Sequence, residues 1–368
     1  MDTTDPEIEF FGAQGCNHCI SMRSSLGIDW FLDNSGLEQL THLIEKIKSK
    51  KRGRKYDCII GLSGGADSTY LALKSYEWGL TPLIVHVDGG WNSELATRNI
   101  EALIRFTGWD LYTQVIDWPE MLDLQQAYLK SGVSNQDVPQ DHAFFAGLFS
   151  IAAKFKVKYI LSGGNVSTEG ILPKSWQSSA MDATNLKAIH SLFGSAPLRR
   201  YPTVSFFDYY FVNPFVKQIR IVRPLNLIPF NKDTAVKELE EKIGYVKYPR
   251  KHGESNFTRF FQEFYLVAKF GIDKRTAHLS SQIISGHITR DLALKEIENK
   301  LFDNLEYARL KDHICRKLRL EKEEFEGILN QPIQNASTFD NWNRKYLLMK
   351  KIQKVLNRFV GPRLNLYR

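Results

Sequence analysis

The sequence predicts an α/β protein in which a parallel sheet is followed by a helical C-terminal region. Two patterns support this class. Up to about residue 161, short and fully apolar segments alternate with segments of helical periodicity, and beyond residue 231 only helical segments remain. Strands that are apolar on both faces are typical of a parallel sheet covered by helices on both sides.

The first half of the chain supplies the elements of the sheet. Residues 36–50 are predicted to form an amphipathic helix, because their apolar residues recur at helical spacing. Strands and helices then alternate. The predicted strands are 56–62, 81–87, 111–115 and 159–161, and the predicted helices are 68–78, 94–107 and 142–154.

The second half changes character. Residues 201–229 are aromatic and interrupted by prolines, which predicts loops and short elements. A helix over 233–243 should end at Gly244, a residue suited to a C-terminal cap. Further predicted helices are 257–270, 273–285, 289–301, helical segments up to 329, and an amphipathic helix over 342–360 with Leu348, Ile352, Val355, Leu356 and Phe359 on one side.

These changes predict three parts of the chain. The first is an N-terminal element over residues 1–50, which contains Cys16 and Cys19. The second is an α/β domain over residues 51–230. The third is a helical region over residues 231–368 that carries a basic tail.

The composition excludes several classes of protein. Of the 368 residues, 45 are aromatic, far more than a disordered chain contains. No apolar run approaches the roughly 20 residues that span a bilayer, and the acidic residues after Met1 do not form a secretory signal. Four cysteines are too few for a disulfide scaffold. A cytoplasmic location without a transmembrane segment is therefore expected.

The net charge of +8 is local. Residues 341–368 hold eight cationic residues and no acidic ones, so the rest of the chain sums to zero. A neutral body argues against a surface built around a polyanion such as nucleic acid. The basic C-terminal helix is expected to pack on the protein with a solvated face. Docking to an acidic partner or to anionic lipid is the alternative.

An anion-binding turn is predicted between the first strand and its helix. The strand continues directly into Ser63-Gly64-Gly65-Ala66-Asp67-Ser68. The two glycines let the backbone turn tightly and approach a ligand, and successive N–H groups at a helix N-terminus bind phosphate. Ser63 and Ser68 add hydroxyl donors, and Asp67 is placed to hold Mg²⁺ on phosphate oxygens. The turn is neither a Walker A loop nor a Gly-x-Gly-x-x-Gly motif.

These residues resemble the PP-loop of ATP pyrophosphatases, which split ATP into AMP and pyrophosphate. The carboxyl ends of the other parallel strands should meet the turn at one edge of the sheet. The resemblance therefore implies that Glu169 joins Asp67 in binding Mg²⁺. The further ATP-binding residues that it implies are His86, Asp88, Gly163 and Asn165.

A polar segment precedes the helix predicted at 142–154. Asp137, Gln140 and His142 are candidates for contacts with substrate, and a metal is the alternative ligand for Asp137 and His142. Asp141 fits the N-cap of that helix as well as it fits a functional role.

Further segments are similar to those of the N-acetyl sugar amidotransferase family of PP-loop enzymes. Members convert the N-acetyl group of a nucleotide-linked sugar to an acetamidino group in the synthesis of bacterial surface polysaccharides, such as lipopolysaccharide O-antigen, or of nonulosonic acids. The similarity spans residues 2–300. The segments that carry it are 2–8, 15–19, 251–262, 274–281 and 285–286.

The resemblance implies a mechanism. The amide oxygen attacks the α-phosphorus of ATP, ammonia adds to the resulting imidate, and AMP leaves. Residues 63–68 would hold the pyrophosphate, and Lys251 would be a second phosphate clamp beside His252. Taken by itself, Lys251 has the alternative interpretation of a solvated loop lysine. Glu254 and Arg259 are candidates for contacts with the sugar or its nucleotide.

The sequence offers no nucleophile for releasing ammonia from glutamine. Position 2 is Asp2, and none of the cysteines lies in a Gly-x-Cys-x-Gly turn. Cys58 and Cys315 are expected to be packing residues. The resemblance implies a separate glutaminase subunit and a cyclase-like barrel subunit, and free ammonium is the alternative source.

The Cys16-x-x-Cys19 pair is half of a tetrahedral zinc site. The family usually carries another Cys-x-x-Cys upstream, which this sequence does not contain. Zinc binding through Cys16 and Cys19, with His18 and a distant ligand, therefore stays a doubtful hypothesis.

Two other functions are compatible with the same turn. A tRNA-modifying enzyme of the thiolation or lysidine type is the first alternative, because paired cysteines can carry sulfur. The neutral body and the lack of a recognisable RNA-binding domain argue against it. The second alternative is a non-catalytic nucleotide-binding scaffold.

Overall fold

The structure is a computed structural model that describes residues 1–360, with the backbone alone for residues 356–360. Leu356, Arg358 and Phe359 of the predicted amphipathic helix lie outside the described side chains. Arg363 and Arg368 of the predicted basic tail lie outside the described residues.

A single five-stranded sheet forms the centre of the molecule, and all of its strands are parallel. They occur in the order β3-β2-β1-β4-β5. The predicted parallel α/β class is confirmed. The strands are β1 Ile59–Gly61, β2 Leu83–Asp88, β3 Leu111–Val115, β4 Tyr159–Leu161 and β5 Arg220–Val222.

Helices surround the sheet and form the C-terminal region. They are α1 Asn17–Arg23, α2 Leu37–Ser49, α3 Ala66–Glu77, α4 Glu94–Thr107, α5 Trp118–Ser131, α6 Val138–Lys154, α7 Val166–Glu169, α8 Ala183–Phe193, α9 Lys232–Ile243, α10 Asn256–Phe260, α11 Leu266–Phe270, α12 Arg275–Ile284, α13 Arg290–Glu298, α14 Asn304–Lys317, α15 Lys322–Asn330 and α16 Asn343–Val360. A π-helical segment, Phe261–Tyr265, joins α10 to α11 without a break.

Both faces of the sheet are covered, as the apolar strands predict. Helices α2, α3, α4 and α9 pack with Ile60 on one face, and α5, α6 and α8 pack with Ile59 on the other. The edge strand β3 differs from the prediction, because its residues are alternately exposed and half-buried. It has a neighbour on one side only, so one of its faces meets solvent.

The strand order places a switch point beside β1. Ile60 pairs with Ile84 of β2 on one side and with Leu161 of β4 on the other. The chain therefore leaves β1 in one direction and β4 in the opposite one. Ligands of open α/β sheets bind at such a point, outside the carboxyl ends of the strands.

Several elements follow the sequence prediction closely and others depart from it. The helix over 94–107 and the strands over 111–115 and 159–161 have the predicted bounds, and Gly244 caps α9 with φ of 70°. Helix α6 begins at Val138, four residues earlier than predicted, because Pro139 fits the first turn of a helix. The N-cap role for Asp141 is therefore wrong, since Asp141 lies inside the first turn.

Among the described residues, four helices were not predicted, the short α1 and α7 and the longer α5 and α8. Asp117 caps α5 by accepting a hydrogen bond from the Glu120 amide, and Gly132 ends the helix with φ of 71°. Helix α8 likewise begins after Asp182, which accepts hydrogen bonds from two amides. Both sets of capping signals are present in the sequence. A π-helix, Asp208–Val216, also occupies part of the region predicted as loops and holds Pro214 inside it.

The C-terminal helices pack on the sheet domain. An apolar cluster joins Trp30 and Trp91 to α10, α12, α14 and α15. Gln126 of α5 donates to the Leu318 carbonyl at 2.6 Å, and Gln331 donates to the Leu129 carbonyl at 2.8 Å. The predicted helical C-terminal region is confirmed.

Helix α16 has the predicted period but packs on another side. Met349 of α16 and Trp342, which directly precedes the helix, are buried in a cluster with Tyr210. The stripe predicted to be its apolar packing face remains exposed at Leu348, Ile352 and Val355. Aromatic side chains of the π-helix at 208–216 cover the other side, a partner that periodicity cannot reveal. Among the described residues, no helix is long and apolar enough to span a bilayer.

Candidate phosphate-binding site

The predicted turn follows β1 at the switch point. The Gly65 amide donates to Ser63 Oγ at 3.2 Å, and the hydroxyl oxygens of Ser63 and Ser68 are 3.3 Å apart. Gly64 has φ of 83°, and a Cβ at this position would lie 2.6 Å from the Ala96 carbonyl oxygen. A residue with a side chain therefore fits neither the conformation nor the space. Helix α3 begins at Ala66, and no side chain caps its N-terminus.

The carboxyl end of β4 lies against this turn. A Cβ at Gly163 would be 2.7 Å from the backbone nitrogen of Ser68, so only glycine permits the contact. Asn165 caps α7 by accepting a hydrogen bond from the Thr168 amide at 3.0 Å. The short helix α7 then presents Glu169 on the same side as the turn.

The end of β2 supports the turn. His86 Nδ1 donates to the Leu62 carbonyl at 2.8 Å, and His86 Nε2 accepts from Asn92 at 2.9 Å. Asp88 accepts a hydrogen bond from the Gly90 amide at 2.8 Å. Both nitrogens of His86 are thus used within the protein, and its contact with ATP stays a prediction.

A charged cluster surrounds Asp67. Lys232 Nζ lies 3.8 Å from Asp67 Oδ2, and Lys251 Nζ lies 3.1 Å from Glu169 Oε1. Burial raises the pKa of Asp67, although Lys232 opposes the shift. The other oxygen, Asp67 Oδ1, is buried without a hydrogen-bond partner among the described residues. Such an atom indicates that a ligand completes the site.

Lys251 links this cluster to two histidines. It holds the pKa of Glu169 far below its usual range, while burial lowers the pKa of Lys251 itself. Lys251 Nζ also donates to His278 Nδ1 at 2.8 Å. Burial and Lys251 lower the pKa of His278 well below its usual value, so the ring is neutral with its proton on Nε2. That Nε2 is buried and has no partner among the described residues.

His252 has a strained backbone beside Lys251. Its φ of 59° is uncommon for a residue with a side chain. His252 Nδ1 lies 3.6 Å from Glu254 Oε1, and its buried Nε2 has no partner in the described part of the chain. Glu254 reaches the turn itself, because its carboxylate would contact a Cβ placed on Gly65 at 3.4 Å. The structure thus brings the predicted Lys251, His252 and Glu254 together with Asp67.

Sequence reasoning missed Lys232 and His278 as site residues. Lys232 begins α9 directly after the Asn231 N-cap, in a setting that carries no signal of function. His278 lies in a segment that resembles the family, and that segment was the available signal.

Arg259 lies in the same region, but its positive charge is largely balanced by two carboxylates. It lies 3.1 Å from Glu263 and 2.5 Å from Glu306. Its contact with sugar or nucleotide stays a prediction. It lines a cavity of about 410 Å³ together with Lys251, His252 and His278.

The polar residues at the start of α6 differ from one another in their surroundings. Asp137 is buried and accepts from Thr258 Oγ1 at 3.0 Å, while the Gln140 amide lies 3.3 Å from the Asp137 carboxylate. Burial, with help from Asp137, raises the pKa of Asp141 to about 7. His142 donates through Nδ1 to the Ala180 carbonyl and accepts through Nε2 from the Val204 amide. Because both its nitrogens are engaged by the main chain, the geometry favours a structural role for His142.

The N-terminal cysteines do not gather a metal site. Cys16 Sγ and Cys19 Sγ are 3.5 Å apart, but His18 Nε2 is engaged with Asp5 at 2.6 Å. Among residues 1–360, no three histidine, cysteine or acidic side chains converge as metal ligands. The hypothesis of zinc at Cys16 and Cys19 thus gains no third ligand. Cys58 and Cys315 are buried, as expected of packing residues.

The sheet and the turn together define the class of this protein. It is a parallel α/β protein with a PP-loop at the switch point of its sheet. Residues 254–354 match the family model of the LPS biosynthesis protein WbpG-like, C-terminal domain. That match lies in the C-terminal region of the chain, and together with the PP-loop it supports the family that the motifs indicated.

A curated relative supports the same class. The chain is 28% identical over 168 residues to the glutamine-hydrolyzing GMP synthase of Pyrobaculum aerophilum. The match covers 44% of this chain and 30% of that protein, so the chain spans less than a third of its relative. Together, these findings support an ATP-dependent enzyme.

Solved structures overlap with the chain more loosely. NMN synthetase from Francisella tularensis is 17% identical, and the match covers 78% of this chain and 98% of that one with a TM-score of 0.38. The U34-tRNA thiolase NcsA from Methanococcus maripaludis is 13% identical, with 73% and 84% of the chains covered and a TM-score of 0.32. The assignment of the fold therefore depends on the chain's own topology.

Proposed function

We propose that the chain is an ATP-dependent amidotransferase that converts the N-acetyl group of a nucleotide-linked sugar to an acetamidino group. The observation that carries the proposal is the buried and unpartnered Asp67 Oδ1, which lies at the PP-loop with Lys232 and Lys251 close by. The matched lipopolysaccharide-biosynthesis domain supports a sugar as the acceptor.

The turn and the two lysines would bind the phosphates of ATP. The turn leads into the N-terminus of α3 at Ala66, which has no side-chain cap among the described residues, and a helix N-terminus favours an anion. Lys232 and Lys251 supply positive charge beside the pyrophosphate as it leaves. Fixed charges of this kind stabilise a transition state most strongly in a site that excludes water.

Magnesium fits the carboxylates at this site. Mg²⁺ usually binds one or two carboxylates together with phosphate oxygens and waters, and the unpartnered oxygen of Asp67 meets that requirement. Glu169 would be the second carboxylate. When bound, the ion screens the charge of the phosphates.

The proposed reaction has two balanced steps. The amide oxygen of the acceptor attacks the α-phosphorus of ATP, and pyrophosphate leaves. Ammonia then adds to the imidate carbon, AMP leaves with the former amide oxygen, and a proton is released. The protein's task is to align the two substrates and to keep water from the imidate.

A direct experiment tests this function. The purified chain is incubated with Mg²⁺–ATP, ammonium and a panel of nucleotide-linked N-acetyl sugars, while AMP, pyrophosphate and product mass are measured. We expect AMP to form together with a product in which NH replaces O. Formation of ADP, or labelling of tRNA in place of a sugar, would contradict the proposal.

The matched variant pair is Asp67→Asn and Asp291→Asn. The first removes a charge from the PP-loop, and the second removes one from the exposed start of α13. We expect Asp67→Asn to lower pyrophosphate release by roughly 100-fold or more, and Asp291→Asn to leave it unchanged. Equal activity of the two variants would count against the assigned site.

A further inference from the structure

A cavity of about 410 Å³ lies next to the charged cluster. Its walls come from residues within 249–263, 273–282 and 296–301. Its volume lies within the range of roughly 300–1,000 Å³ that small-molecule sites occupy. Lys251, His252 and His278 belong both to these walls and to the cluster around the PP-loop.

The cavity walls carry more cations than acids, and most of the cations are already paired. Arg259 is paired with Glu263, and Arg275 is held by Asp273 at 2.7 Å. Lys274 also lines the cavity, and its ammonium group makes no hydrogen bond or ion pair with any residue in the described range 1–360, although its charge opposes the rise in the pKa of the buried Asp137 and Asp141. Its charge is therefore available to a ligand.

The two histidines supply further polar atoms without partners. His252 Nε2 and His278 Nε2 are both buried and unpartnered among the described residues, and both side chains line the cavity. Leaving a buried polar atom unpaired costs about 1–3 kcal/mol. His278 carries its proton on Nε2, because Nδ1 accepts from Lys251. The cavity thus presents an N–H donor and a free ammonium group, the combination that binds a phosphate oxygen.

We infer that this cavity binds the phosphate group of the acceptor, a phosphorylated sugar, through Lys274 and the Nε2–H of His278. The inference rests on the proposed function and adds the place where the acceptor binds. Lys251 then lies between the two substrates, with Glu169 and the PP-loop on one side and His278 on the other.

Binding measurements on the full chain test the inference without turnover. The PP-loop is first filled with Mg²⁺ and α,β-methylene-ATP, which cannot release pyrophosphate. Uridine diphosphate, cytidine monophosphate and uridine are then titrated by calorimetry. We expect at least one of the two phosphorylated probes to bind alongside the ATP analogue, and uridine to bind at least 10-fold more weakly.

A pair of lysine variants identifies the cavity. Lys274→Gln removes from the cavity a cation that has no ion pair among the described residues, whereas Lys295→Gln removes an exposed cation from α13 outside the cavity. We expect Lys274→Gln to weaken binding of the phosphorylated probe by about 10-fold to 100-fold, the loss of one charge-assisted contact. Its affinity for the ATP analogue and its melting temperature should stay unchanged, and Lys295→Gln should match the wild type.

Three results would overturn the inference. They are competition between the phosphorylated probe and the ATP analogue, no binding of either phosphorylated probe, and equal affinities of the two lysine variants. None of them bears on the proposed function, because that function is tested by the formation of AMP and product. If the chain binds the probe but forms no AMP, the inference about the cavity stands and the proposed reaction is contradicted.

Discussion

Lys251 makes the contacts that join the two parts of the site, an ion pair with Glu169 and a hydrogen bond to His278. The motif around Lys251 predicted that this residue meets phosphate. It did not predict His278 as its partner, because a hydrogen bond between distant segments leaves no local pattern. Lys232 was missed for the same reason, since only folding brings the start of α9 to Asp67.

The role of His278 can be tested with two substitutions, one that replaces its Nε2 atom and one that replaces only its Nδ1 atom. Glutamine at this position can place an amide N–H near the former Nε2, whereas asparagine reaches only to the former Nδ1. We expect His278→Gln to keep more activity than His278→Asn. We also expect His278→Asn to raise the KM for the acceptor by about 10-fold with little change for ATP, as the loss of one hydrogen bond to a charged group implies. Equal rises in both KM values would indicate a merely structural residue.

At the scale of elements, the capping and turn signals predicted much of the alternating half of the chain. Helix α4 and strands β3 and β4 have the predicted bounds, and α9 ends at Gly244 as predicted. Helix α5 was missed although Asp117 and Gly132 mark its ends. The face on which α16 packs could not be predicted, because it depends on aromatic residues of a π-helix. The prolines of that region had predicted loops instead of a helix.

The contact between the end of β4 and α3 predicts the effect of a glycine substitution, and a glycine in α15 serves as the control. Gly163→Ala would place a Cβ 2.7 Å from the Ser68 backbone and push the PP-loop out of position. We expect this variant to lose about 1–3 kcal/mol of unfolding free energy and most of its affinity for the ATP analogue. Gly327→Ala in α15 meets no atom within 4 Å and should stabilise the protein by roughly 0.5–1 kcal/mol. Denaturant titration and calorimetry measure both, and unchanged ATP binding in Gly163→Ala would contradict the geometry.

The anchoring of α6 predicts a dependence of stability on pH. His142 is fully buried, and burial lowers its pKa to about 4, below the value near 6.5 of an unfolded chain. Between these values the unfolded chain binds more protons, so this contribution is complete above about pH 6.5 and is lost as the pH falls toward 4. It amounts to something on the order of 3 kcal/mol.

Urea titrations between about pH 4 and pH 7 measure this dependence. His142→Asn should flatten the slope of unfolding free energy against pH, because the titrating group is gone. His42→Asn on the exposed side of α2 should keep the wild-type slope. A His142→Asn slope that equals the wild type would exclude His142 as the source.

At the scale of the molecule, the class, the strand direction and the place of the phosphate site follow from the sequence. An apolar strand, a glycine-rich turn and a helix in succession allow few other arrangements. The shape of the acceptor cavity does not follow from it. Its walls come from three segments that are far apart in the sequence, so their contacts cannot be predicted from local patterns.

The supply of ammonia gives a prediction about the whole molecule. Three of the four cysteines, Cys16, Cys58 and Cys315, are buried, and none of the four lies in a nucleophile turn. The family resemblance implies a glutaminase subunit and a cyclase-like barrel subunit, and we propose that these provide ammonia in the cell. The purified chain should turn over with ammonium at high concentration and not with glutamine, as AMP release would show. Glutamine-dependent turnover by the lone chain would contradict this.

The packing of α14 and α15 on α5 has a practical consequence. The family-model match begins at Glu254, yet two residues that hydrogen-bond to this region precede it: Asp137 accepts from Thr258 of α10, and Gln126 donates to the Leu318 carbonyl at the end of α14. A recombinant piece cut at this boundary would leave Phe257 without Trp91, which packs on its ring, and should precipitate or be digested rapidly by proteases. Crystallisation trials and inhibitor screens are therefore better served by the undivided polypeptide.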